Sequence, residues 1–358
     1  MKTKRSWAFL LLKSCPHANK RGLLNIEKPV LVAGFFLANY LFFLYDKIMT
    51  DYKNILIIKL GALGDWIHLT GWYAAVRKKW PTACITLMTT KPFADLAERC
   101  PYFDTYIIDK RNRNPLDWWY ITKRVLADGN YDLIIDMQRQ KRTRQRYYTL
   151  ARLLTKNAFS WANISAQGLL IRFTPPKYRF TWGTQQDFVL PLRPMEESLA
   201  FCKINPTILR LLPPKYVLLI PGCSPTHPYK RWPATHYREL ALRLGKRNIY
   251  TVVLGTSTEQ KEIETICKNN LKAINFCNKS TLFDIPGIAK KSLAVVGNDT
   301  GPQHMAELCD VPAITLFSEI TKASQVKRRN ITNFVAKNIK DISVDMVYKK
   351  LQSLWHKA

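Results

Sequence analysis

Acidic residues are scarce in this chain of 358 residues: 26 aspartates and glutamates stand against 55 lysines and arginines, a formal net charge of +29. So basic a chain expects an anionic partner, whether nucleic acid, a membrane face or a phosphorylated substrate, and charge alone does not choose among them. Organised cysteine is also missing. The eight cysteines, at positions 15, 84, 100, 202, 223, 267, 277 and 309, form no C-x-x-C pair and no zinc-spaced pairs. That argues against a disulfide framework or structural zinc, and for small buried hydrophobes in a reducing cytosol. The Walker A loop and the G-x-G-x-x-G dinucleotide fingerprint are both absent, which weighs against a P-loop enzyme and a nicotinamide dehydrogenase. No solenoid-length repeat is visible. The apolar run at 30–45, VLVAGFFLANYLFFLY, is broken by Asn39 and falls short of the roughly 20 residues that span a bilayer.

What is present is a globular composition, 47% hydrophobic and 12% aromatic, which excludes a disordered chain. Residues 1–48 form an N-terminal extension with three open readings: a segment the working protein lacks, a membrane anchor, or a signal peptide. From Asn54 the chain alternates. Apolar runs at 54–59, 83–90 and 131–137, with a strand-like DTYIIDK between them, are separated by helical patterns. After a proline-rich stretch at 172–214 the alternation restarts, with strands expected at 215–222, 249–255, 292–299 and 312–318. Strands apolar throughout and separated by helices imply parallel sheets covered on both faces. The expected architecture is α/β: a domain at 49–190, a second at 191–340, both doubly wound and facing across a cleft, and a closing amphipathic helix at 341–358. Ligands of such sheets bind beyond the carboxyl ends of the strands.

Four strand ends carry chemistry. KLGALGD (59–65) offers Gly61 and Gly64 for a tight turn, with Asp65 at a helix start as either cap or functional carboxylate. PGCSPTHPYKRWP (221–233) sets Ser224, Thr226 and Lys230 before a helix that Pro233 opens, an arrangement suited to phosphate. VVGNDTGPQHMAE (295–307) ends a buried strand in Asp299, Thr300 and Gly301, with His304 one turn into the helix; free N–H groups there attract a diphosphate. MQRQKRTRQRYY (137–148) crowds Gln138, Arg139, Lys141, Arg142, Arg144 and Arg146 together, either as a solvated face or as a grip on an anionic acceptor.

Together these pieces resemble glycosyltransferase family 9, the ADP-heptose:lipopolysaccharide heptosyltransferases. ILIIKLGALGDWIHLTG, YDLIIDMQ, the KRWPATHYREL run and above all VVGNDTGPQHMAELCDVPAITLF carry the resemblance, over residues 54–320. It implies a GT-B fold and inverting transfer of a heptose from an ADP-sugar to an anionic lipopolysaccharide precursor, in the cytoplasm at the inner face of the inner membrane, with peripheral membrane contact. It implies Asp65 as general base and Lys230 as donor-phosphate lysine. Asp299, Thr300, Gly301 and His304 fall on the nucleotide-binding run, Thr226 on a phosphate-contacting hydroxyl and Glu259 on the acid that holds the ribose. The basic run 139–146 is expected at the acceptor. No cofactor and no metal are expected: no D-x-D pair is present, and fixed cations take its place. The sequence departs from the family pattern twice, with Arg139 where many members have glycine and Ser318 closing the last strand in place of glycine. Two other functions stay open: a family member moving a different nucleotide sugar, and a basic nucleic-acid-binding protein, for which no motif is found.

Overall fold

The computed structural model describes residues 52–112, 114–154, 160–164, 170–174, 185–190, 199–324 and 328–355. The expectations for residues 1–48 lie outside them. Residues Tyr52–Ala358 form one compact unit built on two sheets. The first runs β3-β2-β1-β4-β5-β6-β7, from β1 (Asn54–Ile58), β2 (Cys84–Thr89), β3 (Thr105–Ile108), β4 (Leu133–Asp136), β5 (Ser160–Ile164), β6 (Leu170–Thr174) and β7 (Gln185–Leu190). Strands β1 to β5 pair in parallel, while β6 and β7 are antiparallel additions. The second sheet runs β10-β9-β8-β11-β12-β13 and is parallel throughout. Its strands are β8 (Tyr216–Ile220), β9 (Tyr250–Gly255), β10 (Ala273–Cys277), β11 (Ala294–Asn298), β12 (Ala313–Ser318) and β13 (Ile331–Ala336).

Both sheets reverse their winding beside the first strand, between β1 and β4 and between β8 and β11. Such a switch point leaves a crevice at the carboxyl ends, and all four chemistry-bearing segments emerge there. Alternation along each strand assigns its faces. Ile55 and Ile57 point into a core shared by both sheets, together with Trp66, Tyr73, Leu218, Val252, Val295 and Met305. Leu56 and Ile58 pack outward with Ile121, Ile134 and Tyr147. Val217, Leu219 and Ile314 form a third core with the helices Ala234–Lys246 and Val344–Trp355. The helix expected at 341–358 thus closes over the second sheet.

The proline-rich stretch is not simply a link. It carries β7 and most of β6, because its prolines at 175, 176 and 191 fall after strand ends rather than inside strands. Strands β5, β10 and β13 were not expected either. Among the described residues no helix is long and apolar enough to cross a membrane, and the seven described cysteines are free.

Candidate active site

A cleft of about 890 Å³ lies between the two sheets. Its first wall begins at the turn after β1. Gly61 has φ +149°, and a Cβ there would meet the Phe93 ring at 3.2 Å, so glycine is the residue this turn accepts. Gln138, at the end of β4, accepts from the N–H groups of Leu60 (2.8 Å) and Gly61 (3.2 Å). It is therefore a clamp on the turn, not a free acceptor-binding group. The turn delivers Asp65 to the first turn of the helix Leu63–His68, exposed and lining the cleft. Beneath it sits Lys59, buried at 3% exposure with Nζ 3.3 Å from Asp65 Oδ2. Burial lowers the Lys59 pKa, opposed by the nearby Asp65 carboxylate. Lys59 was not singled out from sequence; its signal was a lysine at the end of an otherwise apolar strand.

The second wall is an ionic chain. Lys230 Nζ donates to Asp299 Oδ2 at 2.6 Å, and Asp299 Oδ1 lies 3.1 Å from His304 Nε2. His304 Nδ1 lies 2.8 Å from Glu307, which accepts in turn from the Thr315 hydroxyl. Burial would raise the Asp299 pKa, but its bonds to His304 and Lys230 hold it below the usual carboxylate range. Burial would lower His304, yet Asp299 and Glu307 together raise it to about 9, so the imidazole is a cation at neutral pH. Asn298 locks the frame. Its amide donates to Pro221 O (2.6 Å), and its oxygen accepts from Trp232 N and Tyr237 Oη, both at 3.1 Å. The Thr300 hydroxyl is buried without a hydrogen-bond partner among the described residues, at the start of the helix Gly301–Glu307.

The two walls touch. A Cβ on Gly64 would lie 2.9 Å from His304 Cδ2, and one on Gly301 would lie 2.4 Å from Leu63 Cγ. The rings of His68 and His304 meet at a 57° tilt with centroids 4.5 Å apart. Asp65, Lys230, Asp299, Thr300, Gly301, His304, Ser224 and Glu259 all line the one cleft.

Other expected residues are placed differently. Thr226 does not line the cleft; its hydroxyl lies 2.8 Å from Ser224 Oγ and 2.9 Å from His227 Nδ1, and His227 forms the wall instead. Glu259 lines the cleft but also caps its own turn, accepting from Thr256 N (3.0 Å), Thr256 Oγ1 (2.8 Å) and Thr258 Oγ1 (2.8 Å). Of the basic run 139–146, Arg139, Lys141, Arg142 and Arg146 stay outside the cleft lining, while the Arg144 side chain lies outside the described ones. Arg142 is a strut: its guanidinium bonds to Tyr147 Oη (2.7 Å) and to the buried Asp109 (3.2 Å). Arg139 has φ +54°, the left-handed conformation in which glycine is at ease, and its N–H donates to Asp136 Oδ1 at 3.0 Å. That explains why glycine suits this position in the family pattern. Ser318 is buried away from the cleft lining. Among the described residues no group of three or more His, Cys, Asp or Glu is arranged to hold a metal.

Residues 181–345 match the family model described as glycosyltransferase family 9 (heptosyltransferase). Over that stretch the chain is similar to glycosyltransferase family 9. It is similar to lipopolysaccharide heptosyltransferase 1 of Pseudomonas aeruginosa, 25% identical over 282 residues, 74% of this chain and 78% of the relative. It is also similar to lipooligosaccharide heptosyltransferase 2 of Campylobacter jejuni, 32% identical over 133 residues, 35% of this chain and 41% of the relative. The fold is likewise shared with solved structures. A family 9 glycosyltransferase from Veillonella parvula superposes with TM-score 0.62 at 16% identity, over 86% of this chain and 98% of that one. An E. coli heptosyltransferase with ADP-2-deoxy-2-fluoro heptose gives 0.59 at 16% identity, over 84% and 99%. The chain thus has the GT-B fold, and it is a glycosyltransferase.

Proposed function

We propose that this glycosyltransferase moves a heptose, or a closely related sugar, from an ADP-sugar to an anionic lipopolysaccharide inner-core precursor, with inversion at the anomeric carbon and without a metal. The observation that carries this is the facing of two unlike groups across one cleft: an exposed carboxylate, Asp65, on the first wall, and a cationic pair, Lys230 and His304, on the second. Asp65 takes the proton of the acceptor hydroxyl as that oxygen attacks the anomeric carbon. The bond to the diphosphate breaks, and negative charge grows on the departing ADP. Lys230, His304 and the unpartnered Thr300 hydroxyl are set where that charge develops, so they stabilise the transition state more than the ground state. Glu259, Thr256 and Thr281 line the far end of the cleft and suit the nucleoside, with Glu259 retaining acceptor capacity beyond its capping bonds.

The similarity to lipopolysaccharide and lipooligosaccharide heptosyltransferases supports this donor and acceptor, and with them a reaction on the cytoplasmic side of the inner membrane. The test is a screen of nucleotide sugars offered with a Kdo-lipid A acceptor, with product read by mass. Addition of one heptose from the ADP-sugar is expected. Efficient transfer from a non-adenine nucleotide sugar with none from ADP-heptose would refute the donor assignment.

A further inference from the structure

The first sheet presents a second surface that the transfer chemistry leaves unused. The helix Pro115–Trp119 continues through Tyr120–Ala127. Its inner face is core: Ile121 and Val125 are buried, and Trp118 packs edge-on against Tyr147 at 5.7 Å. Its outer face is also apolar where it begins. Leu116, Trp119 and Tyr120 fall at i, i+3 and i+4, and so share one stripe. They are 76%, 56% and 51% exposed. Large apolar side chains clustered in water mark an interaction site more often than chance.

Cations surround the stripe. Lys110, Arg111, Arg124, Arg139, Lys141 and Arg146 are all exposed. Their segments are neighbours in space as well: Arg111 reaches Gln140 at 3.5 Å, and the Arg142 guanidinium lies 5.4 Å from the Trp118 ring centre. The base of this surface is fixed by Asp109, which accepts from Arg111 N (2.7 Å), Arg142 and Tyr147 Oη (2.6 Å). The whole surface follows the carboxyl ends of β3 and β4. That is the edge at which β1 delivers Asp65.

We propose that this surface docks the enzyme on an anionic lipid bilayer, with Leu116, Trp119 and Tyr120 entering the headgroup boundary and the cations pairing with lipid phosphates. Aromatic and aliphatic side chains ringed by Lys and Arg are the chemistry that recognises such a surface. Docking there turns the Asp65 edge toward the membrane, so an acceptor anchored by its lipid meets the base without leaving the bilayer. That purpose rests on the lipid-borne acceptor of the preceding reading; the binding itself does not.

The test is flotation of the full chain with vesicles of phosphatidylcholine alone or mixed with phosphatidylglycerol. The chain is expected to float with the mixed vesicles far better than with the neutral ones, and less well at high salt. Leu116→Ser/Trp119→Ser/Tyr120→Ser should lower that partition by about tenfold or more. Arg124→Glu, which leaves the apolar stripe intact, should lower it by roughly tenfold. Turnover on a water-soluble acceptor fragment should be unchanged in both. Flotation needs no turnover, so these results without heptosyl transfer would uphold the surface and refute only the proposed reaction. Equal flotation of wild type and both variants would overturn the proposal. So would a wild-type dimer in sedimentation that the triple variant dissociates, since the stripe would then be a subunit interface.

Discussion

The most quantitative expectation concerns His304. Its pKa is raised from 6.5 to about 9 by Asp299 and Glu307, which overcome the opposing effect of burial. That difference corresponds to about 3 kcal/mol of coupling between protonation and folding. The folded value lies above the unfolded one, so the stabilisation is complete below the unfolded pKa and disappears as pH rises through about 9. For a unit of this size, about 3 kcal/mol is worth roughly 5 °C in Tm. Thermal melts of wild type and His304→Gln across the range test this. The gap between the two proteins should narrow by roughly 5 °C from about pH 6 to about pH 10, because the variant has no imidazolium to lose. Comparing the two removes the titration of lysines, tyrosines and cysteines that both share. Asp299 does not confuse the window: its lowered pKa makes its own contribution fall away only in acid, below the usual carboxylate range. A gap that stays constant across this range would show that His304 is neutral in the folded protein, and the cationic wall would reduce to Lys230 alone.

Asp65→Asn should lower kcat by about a hundredfold or more while ADP affinity, read by calorimetry, stays near wild type; near-normal kcat at saturating substrates would refute Asp65 as the base. Lys59→Met should lower kcat with donor affinity retained, and Lys59→Arg should restore part of it, since the buried cation 3.3 Å away orients the Asp65 carboxylate; loss of donor binding in both variants would point to collapse of the turn. Arg139→Gly should stabilise the fold or leave it unchanged, by up to about 1 kcal/mol in urea melts, because it relieves a left-handed φ; a clear loss of stability would mean the side chain carries the turn. Gly301→Ala should destabilise by about 1–3 kcal/mol and lower kcat, because its Cβ would drive into Leu63 across the cleft; unchanged melting and turnover would show that the contact between the walls is loose.

Much of this was legible in the sequence because the parallel strands are apolar on both faces. Such runs announce themselves, and the residues that follow them sit at the crevice by topology alone. Asp65, Lys230, Asp299 and His304 were found that way. Most of the strands that escaped notice are edge or antiparallel ones: β6, β7, β10 and β13 lie on the flanks of the sheets, and these, like the internal β5 with its sequence SWANI, lack the continuous apolar signature. Side-chain occupation was harder to read. Gln138 and Arg142 stand in segments with functional spacing, yet each is engaged by a partner that no local pattern reveals, whereas Thr226 is taken up by its neighbours Ser224 and His227. The partners of Gln138 lie 77 and 78 residues away, and Asp109 lies 33 residues from Arg142. Lys59 was missed for the opposite reason, since a lysine closing an apolar strand reads as a solvated strand end until its burial is seen.

The two halves solve one problem with the same device. At each switch point a side-chain amide at the end of the fourth strand in winding order reaches across to the turn after the first: Gln138 to Leu60 and Gly61, Asn298 to Pro221. Backbone groups in a crevice must find partners, and an amide offers both a donor and acceptors without adding charge. The charges can then be reserved for chemistry. On the second wall they are arranged so that Lys230 can be released. Asp299 holds two cations, Lys230 at 2.6 Å and His304 at 3.1 Å. When a diphosphate draws Lys230 away, Asp299 keeps its bond to His304 and is not left buried without a partner, which would be the costly outcome. His304 in turn is held by Glu307 from its other nitrogen. In the proposed reaction the buried chain of alternating charges would thus free Lys230 for the donor, and that role requires His304 to be cationic even if the imidazole never touches the phosphate.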